Sequence, residues 1–199
     1  MAKTPAAGSG RLLAAATEAF AERGFHGTST RDISARAGLS PAAMYTHHRS
    51  KEELLYAISL DGHERVLRAL HEAAAQGVTP TERLAGVALA FGVWHAEGHV
   101  RARVVNYELD ALDADHLAEV MRLRKGIDTV FRSIVAAGVT AGEFTVADVP
   151  LTAGSLVSLG VDISRWYRPD GSRSAERVAA HYRDMALRIV GADPLPPVG

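Results

Sequence analysis

Residues 28–51 read TSTRDISARAGLSPAAMYTHHRSK, two short helical patterns joined by a tight turn and followed by the start of a third. Thr30 is a hydroxyl residue placed to cap a helix N-terminus. After it, Ile33, Ala37 and Leu39 give an apolar spacing that suits one buried face. Gly38 supplies the left-handed backbone that stops this helix and turns the chain. Ser40 is the next cap, and Pro41 takes the first helical position, where its missing N–H costs nothing. The second helix spans about 41–46, with Met44 turned inward. Ser50-Lys51-Glu52-Glu53 then reads as a capping box opening a third, longer helix. Helix, glycine turn and short helix make the helix-turn-helix layout, in which the second helix enters the DNA major groove.

The run T-R-D-I-x-x-R-A-G-L-S-P-x-x-x-Y-x-H from Thr30 to His47, with S-K-E-E-L-L from Ser50, resembles the DNA-binding domain of TetR-type transcriptional repressors. Two positions depart from that pattern. Ser34 stands where the family usually has Ala, a small-for-small change. His48 replaces the usual aromatic residue after the His47 position. The alternative to a DNA-reading unit is an ordinary helical hairpin, which needs neither the caps nor the turn chemistry seen here.

Outward from this stretch, charge supports the same reading. Net charge is −1, but residues 1–51 carry seven Lys/Arg against three Asp/Glu, and residues 52–199 carry fifteen against twenty. The basic end coincides with the helix-turn-helix, as phosphate neutralisation requires. The 199 residues suffice for one large domain or two small ones, with 47% hydrophobic and 23% charged residues as in ordinary soluble proteins. The absence of cysteine excludes disulfides, thiolate metal sites and cysteine nucleophiles. No signal peptide is visible, and the longest apolar stretch, 149–167, is broken by Asp162, Arg165 and several Gly and Ser, so a cytoplasmic protein is expected.

The pattern along the chain is all-α, with about nine helices. Residues 1–9 read as a disordered arm. A helix over 10–23 ends at Gly24 and completes a three-helix head with the two helices of the turn. The helix from Lys51 to about residue 75 is long enough to leave the head, so the domain boundary is placed near residue 55: a DNA-binding domain at 10–55 and a ligand-binding and dimerisation domain at 56–191. Thr79-Pro80-Thr81-Glu82 opens a helix that reaches about Glu97. Further helices are expected over 100–112, 113–137, 148–167 and 174–190, with a loop at 138–147 and a frayed tail at 192–199.

At the DNA, Thr28 and Thr30 can give hydroxyl bonds to phosphate beside a helix N-terminus. Ser40, Ala42 and Ala43 face the groove, where alanine methyls can touch thymine methyls. Tyr45 and His47 suit backbone phosphates on the groove wall, and the family resemblance implies the same assignment. Lys51 adds a cation at the next helix start. Tyr45 could instead be partly core, and Arg31 and Arg49 could be solvated charges. One short recognition helix offers few base contacts, so specificity should come from a dimer reading a palindrome. The dimer candidates lie on the last two helices: Leu151, Leu156, Leu159, Ile163, Val178, Met185 and Ile189, with Gly154, Ser155, Ser158 and Gly160 allowing close approach. The resemblance implies that these two helices form a four-helix bundle with the partner's.

A regulator of this kind needs a second site that biases its DNA geometry. Phe91, Trp94, His95, Arg103, Asn106, Tyr107, Met121 and Arg122 are the candidate ligand residues, a mostly apolar set with a few polar anchors. Phe91, Trp94 and Met121 could equally be plain core. Residues 101–108, the arginines around 122–124 and the 166–171 turn are loosely similar to TetR-type regulators that respond to acyl-CoA thioesters. That similarity implies CoA phosphates at Arg103, Arg122, Arg124 and Lys125. His95 and His99 are spaced as zinc can use, but no third ligand is in view, so no metal and no cofactor is expected. No nucleophile elbow, phosphate loop or carboxylate pair suggests an enzyme. The reading is a homodimeric, ligand-responsive repressor without enzyme activity. An activator of the same fold is one alternative, and a helical small-molecule binder with an incidental basic end is the other.

Overall fold

A computed structural model describes residues 7–192. Among them are nine α-helices and no strand: α1 Ala7–Arg23, α2 Thr30–Arg36, α3 Pro41–Tyr45, α4 Lys51–Gln76, α5 Pro80–Glu97, α6 His99–Tyr107, α7 Ala114–Ala141, α8 Val149–Trp166 and α9 Ala175–Ile189. A 3-10 turn at Leu109–Ala111 lies between α6 and α7. The expected arm and tail fall mostly outside the described residues; residues 7–9 are helical, opening α1, and Ala192 packs against the core of the second unit.

The chain divides into two units. One takes the residues up to His63 together with Val100–Met121, the other Glu64–His99 with everything from Arg122 onward. The division falls inside α4, between His63 and Glu64, and α6 belongs to the first unit. In the first unit Leu12, Ala16, Phe20, Ile33, Met44, Leu54 and Leu55 are buried. Helix α2 packs on α1, and α3 on α2. Gly62 lets α4 approach α6 closely, because a Cβ there would lie 3.1 Å from Val105 Cγ1.

In the second unit α5 packs on α8 and α9. Phe91, Phe131, Leu84, Val87, Leu156 and Tyr182 belong to one buried cluster. Gly92 sets the α5–α9 distance, since a Cβ there would meet Ala179 Cα at 2.9 Å. The Tyr182 hydroxyl is buried and donates to the Leu156 carbonyl at 2.6 Å. At the open end of α5 the capping box expected at Thr79 is formed, with Glu82 reaching back to the Thr79 N–H. Glu143 accepts from both Thr81 N–H and Thr81 Oγ1, tying the post-α7 loop to that first turn.

Three expected boundaries move for identifiable reasons. The cap of α2 is Ser29, not Thr30: Ser29 Oγ accepts from Asp32 N–H, and Asp32 answers at Ser29 N–H. Helix α7 runs past Gly138 to Ala141, because Gly138 is there to admit the Phe144 ring, 2.0 Å from where its Cβ would sit; Gly142, at φ +73°, ends the helix instead. The expected 100–112 helix breaks at Tyr107, and both Leu109 and Leu112 are buried across the break.

Candidate nucleic-acid interface

The recognition element is α3, five residues held by its ends. Ser40 Oγ accepts from Ala43 N–H at 3.1 Å, Pro41 occupies the first turn, and Gly38 at φ +66° supplies the turn from α2. Met44 is fully buried and anchors the helix. Its other side chains are turned out: Ser40, Ala42 and Tyr45 are exposed and Ala43 half-buried. Tyr45 is 53% exposed, which rules out a core role and leaves its phenol presented outward. The Tyr45 hydroxyl lies 3.4 Å from Thr30 Oγ1, so the tip of α2 and the recognition helix present one polar pair.

Around that pair lies a shallow cleft of about 540 Å³ whose rim includes Ser29, Thr30, Tyr45, Arg49, Ser50 and Lys51. Hydroxyls, a phenol, a guanidinium and an ammonium beside two helix N-termini are the donor set that a phosphate backbone takes. Not every expected donor is available. Thr28 is buried, and its hydroxyl proton is committed to the carbonyls of Ala19 and Gly24, at 3.1 and 2.8 Å. It therefore caps the α1 turn internally and cannot donate to phosphate. Lys51 Nζ donates to the carbonyls of Phe25 and Thr28 at 2.7 and 2.8 Å and sits 4.2 Å over the Phe25 ring. Its charge still faces the cleft, but its first task is to clamp the start of α4 to the α1–α2 turn.

The histidines after α3 part company. His47 is exposed and abuts Gly8, where a Cβ would come 2.7 Å from Nε2. His48, in place of the family's usual aromatic, is half-buried with Nε2 3.1 Å from Ser9 Oγ. Burial holds its pKa below the ordinary 6.5; His47 pushes the same way and Glu53 opposes. Ser50 Oγ accepts from Glu53 N–H at 3.0 Å, while Glu53 reaches back to Arg49 N–H rather than to Ser50.

Two residues that carry the head were not visible in the sequence pattern. Arg36 forms a two-pronged pair with Glu22, at 2.8 and 2.6 Å, and reaches Glu18 at 3.3 Å, locking α2 on α1. Glu108, just past α6, accepts from Phe25 N–H at 3.0 Å. The Phe25 peptide is thus held on one side by Lys51 and on the other by Glu108. Spacing along one helix cannot reveal either partnership, since both join residues far apart in sequence.

The ligand candidates do not assemble within either unit. Phe91, Trp94, His95 and Arg122 belong to the second unit, Arg103, Asn106, Tyr107 and Met121 to the first. Phe91 is core: its ring lies 4.2 Å from His95 and 5.3 Å from Phe131. Trp94 stands 4.8 Å from the His95 ring. Asn106 bonds back to the Ala102 carbonyl, whereas Tyr107, Met121 and Arg122 are exposed. Arg103 Nε is buried and has no hydrogen-bond partner among the described residues. His95 and His99 each turn Nδ1 to a backbone carbonyl, of Phe91 and Ala96.

The dimer candidates also divide. Leu156, Ile163 and Val178 are at most 5% exposed, so they are core of the second unit and cannot face a partner. Gly160 is core too, because a Cβ there would fall 2.4 Å from Phe91. Leu151, Leu159 and Ile189 are exposed, as is Trp166, which the apolar spacing missed. Leu159, Trp166, His181 and Met185 help line an α8–α9 groove of about 560 Å³.

A helix-turn-helix head with a separate helical unit defines a class of DNA-binding regulators, and comparison with known families narrows it. The model described as bacterial regulatory proteins, tetR family, matches residues 12–58, and the one described as tetracyclin repressor-like, C-terminal domain, matches residues 77–190, more than half of the chain. The protein belongs to the TetR family and is a DNA-binding transcriptional repressor of that family, not an enzyme. It is similar to the HTH-type transcriptional repressor KstR2 of Mycolicibacterium smegmatis, 29% identical over 187 residues, 92% of this chain and 90% of that one. A solved bacterial regulatory protein in the tetR family from Rhodococcus RHA1 is 39% identical with a TM-score of 0.90, covering 96% of this chain and all of that one. AibR, solved in complex with isovaleryl coenzyme A and operator DNA, shares the fold with a TM-score of 0.83 at 21% identity, over 94% of this chain and all of that one. Regulators of this family bind operator DNA and small-molecule effectors and act as dimers. Among the described residues, no helix is long and apolar enough to cross a membrane.

Proposed function

We propose that this repressor binds a palindromic operator as a homodimer in the cytoplasm, and that an acyl-CoA thioester releases it. Residues 10–55 read the DNA: Ala42 and Ala43 approach base edges, while Thr30, Tyr45, His47 and Lys51 meet the phosphates, with Ser40 opening the helix between them. Residues 56–191 sense the effector and pair the protomers through the exposed side of α8 and α9, at Leu151, Leu159, Met185, Ile189 and Trp166. The observation that carries the DNA reading is the outward Tyr45–Thr30 pair beside a cleft rimmed with cations. The effector reading rests on the unpartnered, buried Nε of Arg103, which an anionic ligand oxygen would satisfy at little cost. Glu108 and Lys51 offer the route: a shift of α6 or α4 pulls on the Phe25 peptide between α1 and α2, and so moves the recognition helix.

The test is selection of bound sequences from a random duplex pool, repeated with a panel of acyl-CoA thioesters. One enriched palindrome released by a thioester is the expected result. A palindrome indifferent to the whole panel overturns the effector assignment, and no enriched sequence overturns the operator assignment.

A further inference from the structure

One side-chain cluster of the first unit takes no part in the operator face or in the effector residues. Glu52 in the first turn of α4, Asp113 just before α7 and His116 in the first turn of α7 each bring one ligand atom to within 4.8 Å of the others. His116 Nδ1 lies 2.8 Å from Glu52 Oε1 and 3.3 Å from Asp113 Oδ2. The cluster is built rather than incidental. Asp113 Oδ1 accepts from His116 N–H at 2.9 Å, which leaves Oδ2 to turn toward the imidazole. Asp113 N–H donates to Glu52 Oε1 at 3.2 Å, fixing that carboxylate from the α7 side. The His116 ring stacks on Tyr56 with centroids 3.7 Å apart and planes 8° from parallel, and the Tyr56 hydroxyl is held by Glu119. Ring plane and both carboxylates are therefore set by contacts that leave Nδ1 aimed between two oxygens.

We propose that Glu52, Asp113 and His116 form a zinc site joining the first turn of α4 to the start of α7. One imidazole nitrogen and two carboxylate oxygens, with a water in the fourth position, are a donor set zinc accepts. A tetrahedral ion with bonds of about 2.1 Å keeps its ligand atoms about 3.4 Å apart, close to the 2.8 and 3.3 Å that separate His116 Nδ1 from the two carboxylate oxygens. Magnesium, which prefers oxygen and octahedral geometry, fits an imidazole poorly. The ion takes the Nδ1 lone pair of a neutral imidazole protonated at Nε2: an imidazolium releases its Nδ1 proton to solvent on binding, and a neutral Nδ1–H ring moves its one proton to Nε2. Because Lys51, the next residue to Glu52, clamps the Phe25 and Thr28 carbonyls, the ion stiffens the helix start that holds the α1–α2 turn.

The test uses the full chain stripped with chelator and titrated with zinc chloride by calorimetry, with magnesium in parallel and cobalt absorption as a coordination readout. One zinc per chain is expected, with no comparable magnesium binding and a higher melting temperature when zinc is bound. Asp113→Asn keeps an oxygen for the α7 cap and should weaken zinc by at least about tenfold, while His116→Gln should remove the site. His99→Gln, outside the cluster, should leave binding unchanged. Absence of one-to-one binding up to about 100 µM zinc overturns the proposal, as does binding that survives both Asp113→Asn and His116→Gln.

Discussion

Helices α3 and α8 begin alike, and the likeness stops there. Each has an oxygen cap, Ser40 or Asp148, and a proline in its first turn. Helix α3 then runs for five residues and buries one, Met44, while α8 runs for eighteen and buries Ala153, Leu156, Gly160, Ile163 and Ser164. Start signals are local, because they satisfy N–H groups within one turn. Which face of a helix goes inward is decided by what lies across from it. In α3 a single apolar side chain makes that decision, and the rest of the helix is left facing outward. In α8 nearly every position is apolar or small, so neighbouring helices choose.

Met44 is the side chain on which α3 depends most. Replacing it by Ala should cost about 2–5 kcal/mol by the usual range for a buried large-to-small change. Loss should fall on the head: operator binding disappears while size-exclusion chromatography still reports the dimer. A dimer lost together with DNA binding would mean that the two regions do not divide their work in this way.

On α8 two glycines sit in opposite surroundings. Gly160→Ala places a methyl 2.4 Å from Phe91 Cδ1 and 2.9 Å from Tyr182 Oη, an overpacking that should cost about 1–3 kcal/mol. Gly154, six residues earlier in the same helix, has nothing within 4 Å of its would-be Cβ. Gly154→Ala should therefore stabilise the isolated protomer by about 0.5–1 kcal/mol through helix propensity alone. Thermal melts of the two variants should move in opposite directions. If Gly154→Ala instead weakens dimerisation, that glycine lies against the partner.

How far residues alone disclosed this arrangement follows from the same distinction. Ser40-Pro41, Gly38 and Thr79-Pro80 with Glu82 announce their roles because cap and turn chemistry completes itself within four residues. Thr28 misled because its environment is a turn: Gly24, at φ +72°, aims its own carbonyl at the Thr28 hydroxyl, and Ala19 supplies another. Gly138 looks like a helix stop in sequence and is a packing hole for Phe144. On α8 the apolar period is satisfied all round, so Leu156 and Leu159 look equivalent although one is buried and the other 41% exposed. Glu108 and Arg36 were illegible for a simpler reason, since their partners Phe25 and Glu22 sit on other elements.

Tyr45→Ala tests the outward face of α3 at smaller cost. The ring is more exposed than buried and its hydroxyl meets that of Thr30, so stability should change by no more than about 0.5 kcal/mol. Operator affinity should fall by about tenfold, equivalent to about 1.4 kcal/mol, with the loss similar on every sequence tried and a shallower salt dependence in proportion to the phosphate contact removed. Thr30→Ala should do the same more weakly, and the double variant should lose less than the sum, because the two hydroxyls share one contact.

The smallest effect concerns the one position where the head departs from its family in a chemically active way. His48 is half-buried under α1 with its pKa held below 6.5 by desolvation, so the folded head favours the neutral ring. The unfolded chain binds the proton at the ordinary value. Protonation therefore favours unfolding: the contribution is intact above about pH 6.5 and is lost as pH falls through that value toward the lower folded pKa. His48→Phe restores an aromatic ring that does not titrate, at the loss of the Ser9 contact. Melting temperatures of the two proteins compared from pH 7.5 down to about pH 5 should diverge, the parent losing more on the acid side. Taking the difference between them cancels every other titrating group, including His116 with its opposite shift. Parallel curves would mean the His48 ring is hydrated in the folded head, and that an aromatic side chain was not what this packing position required.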